Sequence, residues 1–348
     1  MTSKLFPICC IIPPHMLRSI AKHGTEDQCD SALHALALSE QLRGRREVMG
    51  KLTFASATPT GEKRRTIYDA KHSEELPGDL VRGEGDPKSQ DPSVNEAYDG
   101  AGVTYDFYKK VYDRNSIDDR GMRLDSTVHY SRDYDNAFWD GRQMVYGDGD
   151  GKLFNRFTKA LDVIGHELTH GVTEHEAGLV YSGQAGALNE SFSDVFGSLV
   201  KQYKLKQKAD KADWLIGKGL LAAKVTGVAL RSMKAPGTAY DDPVLGKDPQ
   251  PANMKDYRKV DYDNGGVHIN SGIPNHSFYL VSKEIGGYAW EKAGRIWYIA
   301  LRDRLRPRTT FRQAAAITFQ VAGDLYGKGS REQKAVRAGW KGVGISVT

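Results

Sequence analysis

The chain changes its hydrophobic rhythm twice. Residues 1–55 form a unit of their own. An extended, proline-punctuated stretch from Ile8 to Met16 leads to a helix predicted over about 25–46, where Cys29, Leu33, Leu36 and Ala37 recur at helical spacing with charges on the other face. The small, polar run from Ala55 to Gly61 reads as an exposed linker open to proteolysis. From about Arg65 to Gly151, strand-like runs (Thr66-Ile-Tyr68, Val128-His-Tyr130, Met144-Val-Tyr146) are separated by aspartate- and glycine-rich breaks. From about Asp162 the period becomes helical and predicts helices over 162–176, 187–206, 212–224, 270–285, 289–303 and 311–327. This order predicts an α+β protein of two lobes, β-rich over 56–186 and helical over 187–348, with a cleft where they meet.

Composition narrows the partners. A chain of 348 residues with 39% hydrophobic and 27% charged positions is of ordinary globular make-up and long enough for two lobes. No apolar stretch is long enough to span a bilayer, so no membrane association is expected. The net charge of +5 is mild. The basic clusters Arg43-Gly-Arg-Arg46 and Lys63-Arg-Arg65 are short and lack interleaved aromatics, which argues against nucleic acid as a partner. Nothing calls for an oligomer, and a monomer is expected. The three cysteines, Cys9, Cys10 and Cys29, all fall near the start, whereas a disulfide-stapled body would spread them. Prolines interrupt the apolar run of the first fourteen residues and no convincing small-residue cleavage site follows, so it reads poorly as a secretory signal. Synthesis in the cytoplasm is expected, with export by a non-standard route left open.

The chemistry sits at the lobe boundary. His166-Glu167-Leu168-Thr169-His170 places two imidazoles four residues apart on one helix face, where both reach one ion, with Glu167 at its edge. Zinc favours such nitrogen ligands and needs a third protein ligand if one position is to stay open for water. Further on, Asn189-Glu190-Ser191-Phe192-Ser193-Asp194 opens a helix whose other side carries Phe192, Val195, Phe196 and Leu199. A carboxylate in so apolar a helix is costly unless paired or metal-bound, which makes Glu190 the expected third ligand. Asp194 is expected to hold a ligand imidazole in its tautomer from behind, with Asn189 beside it. Glu167 could take a proton from the metal's water.

The run His166–Tyr181 with Gly186–Asp194 resembles the thermolysin family of neutral metallopeptidases. The resemblance extends from about residue 66 to the C-terminus through Asn136–Gly141, Met144–Gly151, Leu230–Met233 and Asp263–Gly272. It implies a zinc endopeptidase acting on proteins or peptides. It further implies that His268, oriented by Asp263, and Tyr181 stabilise the oxyanion of the tetrahedral species. Asn136 and Ala137 would hold the substrate backbone as an edge strand does. Trp139 on the same segment could equally be packing. Arg231 would clamp a substrate carbonyl, although read alone it could be an ion-pair partner. Phe154, Phe157, Val163, Ile216, Leu220 and Leu230 match the wall of the pocket for the residue after the cut bond; all are apolar, which implies cleavage before apolar residues. The loop Gly147-Asp-Gly-Asp-Gly151 lacks a phosphate-loop lysine or a full calcium ligand set and reads as a turn feeding the cleft. Lys201, Leu215 and Lys218 stand where the family's paired calcium ions would need acids. The paired site is therefore expected to be absent, replaced by an ion-pair cluster of Lys201 with acids such as Asp162 and Asp213.

The N-terminal segment, with Pro13-Pro14-His15, resembles the protealysin branch, whose precursors carry a compact propeptide. It is expected to act as an intramolecular inhibitor until cleavage between about 50 and 60. Three readings stay open at this stage: a thiolate from Cys9 or Cys10 displaces the catalytic water, Pro13-Pro14-His15 or a neighbour plugs the cleft without a metal bond, or the cysteines are purely structural. Two other functions also remain, a zinc hydrolase trimming chain ends and a catalytically silent homologue that binds proteins in the same cleft.

Overall fold

The computed structural model describes residues 9–49 and 61–347, the side chains of 42–49 excepted. The expected cleavage interval, and the linker up to Thr60, lie outside the described residues. The architecture is the expected α+β one. A six-stranded sheet runs in the order β1-β5-β6-β4-β2-β3, from β1 (Cys9–Cys10), β2 (Arg65–Asp69), β3 (Asp79–Arg82), β4 (Leu124–Val128), β5 (Ala137–Trp139) and β6 (Gln143–Tyr146). The β2–β4 and β4–β6 pairs are parallel and the others antiparallel. The N-terminal segment thus contributes a strand to the sheet of the main body, pairing Cys9 with Trp139 and Cys10 with Phe138.

The segment then turns into α1 (Pro14–His23), with proline at the first helical position, where its missing N–H costs nothing. Helix α1 packs against α2 (Glu26–Met49). The buried face of α2 is Ala32, Ala35, Leu38 and Ser39; of the expected stripe, Cys29 and Leu36 are half-buried, whereas Ala37 is exposed and Leu33 is 55% exposed. Small side chains on the inner face let the helix lie close to its neighbours, so the bulky residues were a poor guide to which side is inside.

The stretch 65–151, expected to hold only strands and turns, also contains α3 (Pro92–Tyr112), which packs on β2 and β4. Asp91 caps it by accepting the Ser93 N–H at 2.7 Å, and Val94, Ala97, Ala101, Tyr105, Tyr108 and Tyr112 follow at helical spacing on the buried side. Beyond it lie α4 (Leu161–His175) and α5 (Gly183–Leu205), side by side. The helix expected over 212–224 is instead a run of turns around β7 (Leu215–Ile216), which pairs with β8 (Arg231–Ser232). Gly217 and Gly219 take φ of +72° and +87° there, outside any right-handed helix. Then follow α6 (Asp263–Asn270), α7 (Gly272–Ile285), α8 (Ala293–Ile299), α9 (Phe311–Tyr326) and α10 (Arg331–Gly342), the last not expected from the sequence. Tyr112 of α3 stacks on Tyr298 of α8 at 4.4 Å, with Phe196 of α5 edge-on to both, so aromatic packing joins the two lobes.

Candidate active site

Helices α4 and α5 set the geometry, and glycines let them do so. A Cβ on Gly197 would lie 2.3 Å from the Asp162 carbonyl oxygen and 2.9 Å from the His166 backbone nitrogen. Only at this close approach do His166 and His170 on α4 face Glu190 on α5. The His166 Nδ1 lies 2.8 Å from Asp194 Oδ1, and the His170 Nδ1 lies 2.8 Å from Asn189 Oδ1. Both acceptors pull the ring proton to Nδ1, which leaves the Nε2 lone pairs facing each other 3.0 Å apart. Glu190 stands at 3.6 Å from His166 Nε2 and 3.5 Å from His170 Nε2, and its Oε2 makes no hydrogen bond. Burial lowers the His170 pKa to about 3, keeping its lone pair free. Burial works against the Glu190 charge, but His268 holds its pKa below the ordinary value. Two ring nitrogens and a carboxylate aimed at one point, all buried, crowd their lone pairs together unless a cation sits among them. The set of two nitrogens and one oxygen suits zinc, with a fourth position left over.

Glu167 lies beside this triad, fully buried. Its Oε2 accepts the Trp139 backbone N–H at 3.1 Å, and its Oε1 has no partner. Burial, reinforced by the neighbouring Glu190 charge, raises its pKa well above that of an ordinary carboxyl. Asp194 is shared: besides His166 it accepts from Arg231 Nε and Nη2, at 2.9 and 2.8 Å, and from Asn275 Nδ2 at 2.8 Å. Arg231 is therefore an ion-pair partner of Asp194 through two of its nitrogens, and the third, Nη1, points away from that pair.

Across the cleft, the start of α6 carries a left-handed run, with Gly265 at φ +83° and Gly266 at φ +78°. This bend turns the Asp263 carboxylate back onto its own helix, 2.5 Å from His268 Nδ1 and 3.0 Å from the His268 backbone nitrogen. Burial opposes a charge on His268, but Asp263 and Glu190 outweigh it and raise its pKa. The Tyr181 hydroxyl donates to the Glu190 carboxylate and lies 3.1 Å from His268 Nε2.

These groups hold the protein's own N-terminal segment. Ala137 accepts the Ile11 N–H at 3.1 Å and Asn136 Oδ1 accepts the Ile12 N–H at 3.0 Å. Arg231 Nη1 donates to the Ile11 carbonyl at 3.1 Å, and His268 Nε2 lies 3.0 Å from the Cys10 carbonyl oxygen. Cys9 packs with Tyr181 and Val267, whereas Cys10 turns to Ser39 of α2, at 3.7 Å. Pro13 and Pro14 lead into α1, and His15 Nε2 lies 3.1 Å from the Tyr240 hydroxyl.

Phe154, Phe157, Val163, Ile216, Leu220 and Leu230 are all buried, and backbone bonds draw them together: Asn155 N to Leu220 O at 2.7 Å, Leu230 N to Ile216 O at 3.0 Å. Asp150 closes its glycine-rich loop by accepting the N–H groups of Lys152, Leu153 and Phe154. Lys201 Nζ lies 2.7 Å from Asp162, 3.1 Å from Asp213 and 2.6 Å from the Leu215 carbonyl; Lys218 reaches Asp213 at 3.6 Å from a more exposed position. Asp194 takes no part in that cluster. Sequence reasoning missed Ser193, whose hydroxyl is 3.0 Å from His170 Nδ1, as well as Asn275 and the Trp139 N–H.

Residues 53–174 match the thermolysin metallopeptidase catalytic domain, and residues 177–345 match the thermolysin metallopeptidase alpha-helical domain. An extracellular metalloprotease of Pectobacterium carotovorum subsp. carotovorum is 52% identical, covering 98% of this chain and 97% of its own length. Protease PrtS of Photorhabdus sp. (strain Az29) is 51% identical, covering 97% and 92%. The solved precursor of protealysin, a metalloproteinase from Serratia proteamaculans, superposes with a TM-score of 0.89 at 55% identity, covering 97% of this chain and 100% of that one.

Proposed function

Because the chain belongs to the thermolysin family of metallopeptidases, in its protealysin-like branch, we propose that it is a zinc endopeptidase made as a self-inhibited precursor, with residues 9–49 as the inhibitory part. The observation that carries this reading is that Asn136, Ala137, Arg231 and His268, the groups assigned to substrate, all hold the backbone of residues 10–12. The segment enters as a substrate strand would, antiparallel to β5, with the Cys10–Ile11 bond at the position of a bond to be cut.

His166, His170 and Glu190 would hold the metal. Zinc, when bound, acidifies a water molecule and polarises the substrate carbonyl. Glu167, kept in place by the Trp139 N–H, takes a proton from the attacking water and returns it to the leaving amine. His268, backed by Asp263, and Tyr181 stabilise the charge that develops on the carbonyl oxygen, where the Cys10 oxygen now sits. Arg231 holds the next carbonyl, and Asp194 locks both Arg231 and His166. The wall of Phe154, Phe157, Val163, Ile216, Leu220 and Leu230 favours an apolar residue after the cut bond; the residue in that place here is Ile11. Such a pocket discriminates by about 1–3 kcal/mol per methylene. Relatives named as extracellular proteases support action outside the cell. We assign no paired calcium site, Lys201 taking the place of the ions.

Mass spectrometry of the purified chain and its Glu167→Ala variant tests the reading. The wild type is expected to shed its N-terminal segment at a bond between residues 50 and 60, while the variant stays at full length. Wild type that remains intact with zinc bound would overturn self-processing, and identical processing of both chains would assign it to another protease.

A further inference from the structure

The substrate-like seating of residues 9–12 raises a chemical problem. The Cys10–Ile11 bond lies against the groups that would hydrolyse it, with its carbonyl on His268 and the following carbonyl on Arg231. A good substrate held this way would be cut. Something must deny the site its water while leaving the strand in place.

Strand geometry supplies the candidate. Successive side chains of β1 point to opposite faces of the sheet. Cys10 goes to Ser39 on α2, so Cys9 goes to the cleft, where it packs with Tyr181 and Val267. There its Sγ, a His170 ring nitrogen and a Glu190 carboxylate oxygen all lie within 4.8 Å of one another. Cys9 is 5% exposed and Glu190 1% exposed, and Glu190 Oε2 is buried without a hydrogen-bond partner. Of the candidates in the N-terminal segment, neither Cys10 nor His15 joins such a cluster; His15 is held by Tyr240.

We propose that Cys9 is the fourth zinc ligand of the precursor. Its thiol gives up a proton to solvent as Sγ enters the coordination shell, and one water molecule leaves. Thiolate is a strong zinc ligand, and the exchange completes a closed four-coordinate site of the structural kind. While the strand is seated Glu167 has no water to deprotonate, and the Cys10–Ile11 bond survives although it is aligned for attack; self-processing between residues 50 and 60 falls to molecules whose segment has lifted from the cleft. Removal of the segment withdraws the sulfur and reopens the position. The inference rests on the assignment of zinc to His166, His170 and Glu190, and its test separates the two.

The Glu167→Ala chain, kept intact by its lost general base, is loaded with one zinc and measured by X-ray absorption at the zinc edge. One sulfur neighbour at about 2.3 Å, with nitrogen and oxygen for the rest, is expected. In the same background, Cys9→Ser is expected to lose the sulfur signal and Cys10→Ser to keep it. A bound zinc with only nitrogen and oxygen neighbours overturns the Cys9 inference and leaves the peptidase reading standing. Loss of sulfur in Cys10→Ser with retention in Cys9→Ser overturns it as well. Failure of the parent chain to bind zinc overturns the metal assignment itself.

Discussion

Lys201 shows how much one side chain decides. Burial works against its charge, yet Asp162 and Asp213 raise its pKa above that of an ordinary lysine. Its side chain is 13% exposed, and its ammonium makes three contacts with oxygen atoms that would otherwise repel one another. Lys201→Met keeps the length of the stem and removes the charge, leaving Asp162 buried without its partner. A loss of about 3 kcal/mol is expected. The parent chain should melt at the same temperature with and without a calcium chelator, while added calcium should restore part of the variant's loss. A parent Tm that falls in chelator would sink the assignment. Lysines at acid positions made this cluster legible in the sequence. The approach of the two histidines to Glu190 was legible for a similar reason, in their spacing and apolar surroundings. The Trp139 N–H on Glu167 was not, because a backbone donor leaves no trace in side-chain identity. Nor were Ser193 and Asn275, small neutral residues whose partners are set by tertiary approach.

Between elements, the decisive contact is the crossing of α4 and α5 at Gly197. Gly197→Ala would push the new methyl into the backbone of Asp162 and His166, neither of which can swing aside. The two helices must then separate by a fraction of an ångström, at a cost of about 1–3 kcal/mol. Because the proposed zinc ligands, His166 and His170 on α4 and Glu190 on α5, are divided between these helices, the variant should also bind zinc more weakly. Metal content after dialysis against a weak chelator, compared with parent chain at equal Tm loss from a distant core substitution, checks it. Unchanged zinc retention would mean that the helices do not set the triad. Elements were read well where one signal stood alone and badly where two competed. In α3 the glycines and aspartates of the Asp99-Gly100-Ala-Gly102 region masked a capped, regularly spaced helix. In 212–224 the apolar spacing outweighed Gly217 and Gly219, although glycines at positive φ were the truer signal. The turned face of α2 has another cause: its inner side is recognised by fit to the body, which the segment's own periodicity cannot encode.

For the molecule as a whole, the N-terminal segment touches both lobes. Helix α1 meets the helical lobe through Ser19 on the Val244 carbonyl at 2.8 Å and Arg18 over the Tyr262 ring. Helix α2 meets the β-rich lobe through Ser31 on the Asp133 carbonyl at 2.8 Å and His34 with Glu74 at 2.8 Å. Between them β1 and residues 11–12 fill the cleft. While the chain is unbroken, a covalent tether of this kind presents the segment to the cleft at an effective concentration on the order of millimolar. One cut between residues 50 and 60 changes none of these contacts but abolishes the tether. The bound segment then becomes an ordinary ligand, ruled by mass action. Freshly cut enzyme should gain activity per molecule when diluted and lose it again when synthetic segment is added, whereas the uncut chain should respond to neither. If that surface silences the enzyme as proposed, its awakening becomes a matter of how crowded it is: latent where it accumulates, active where it disperses.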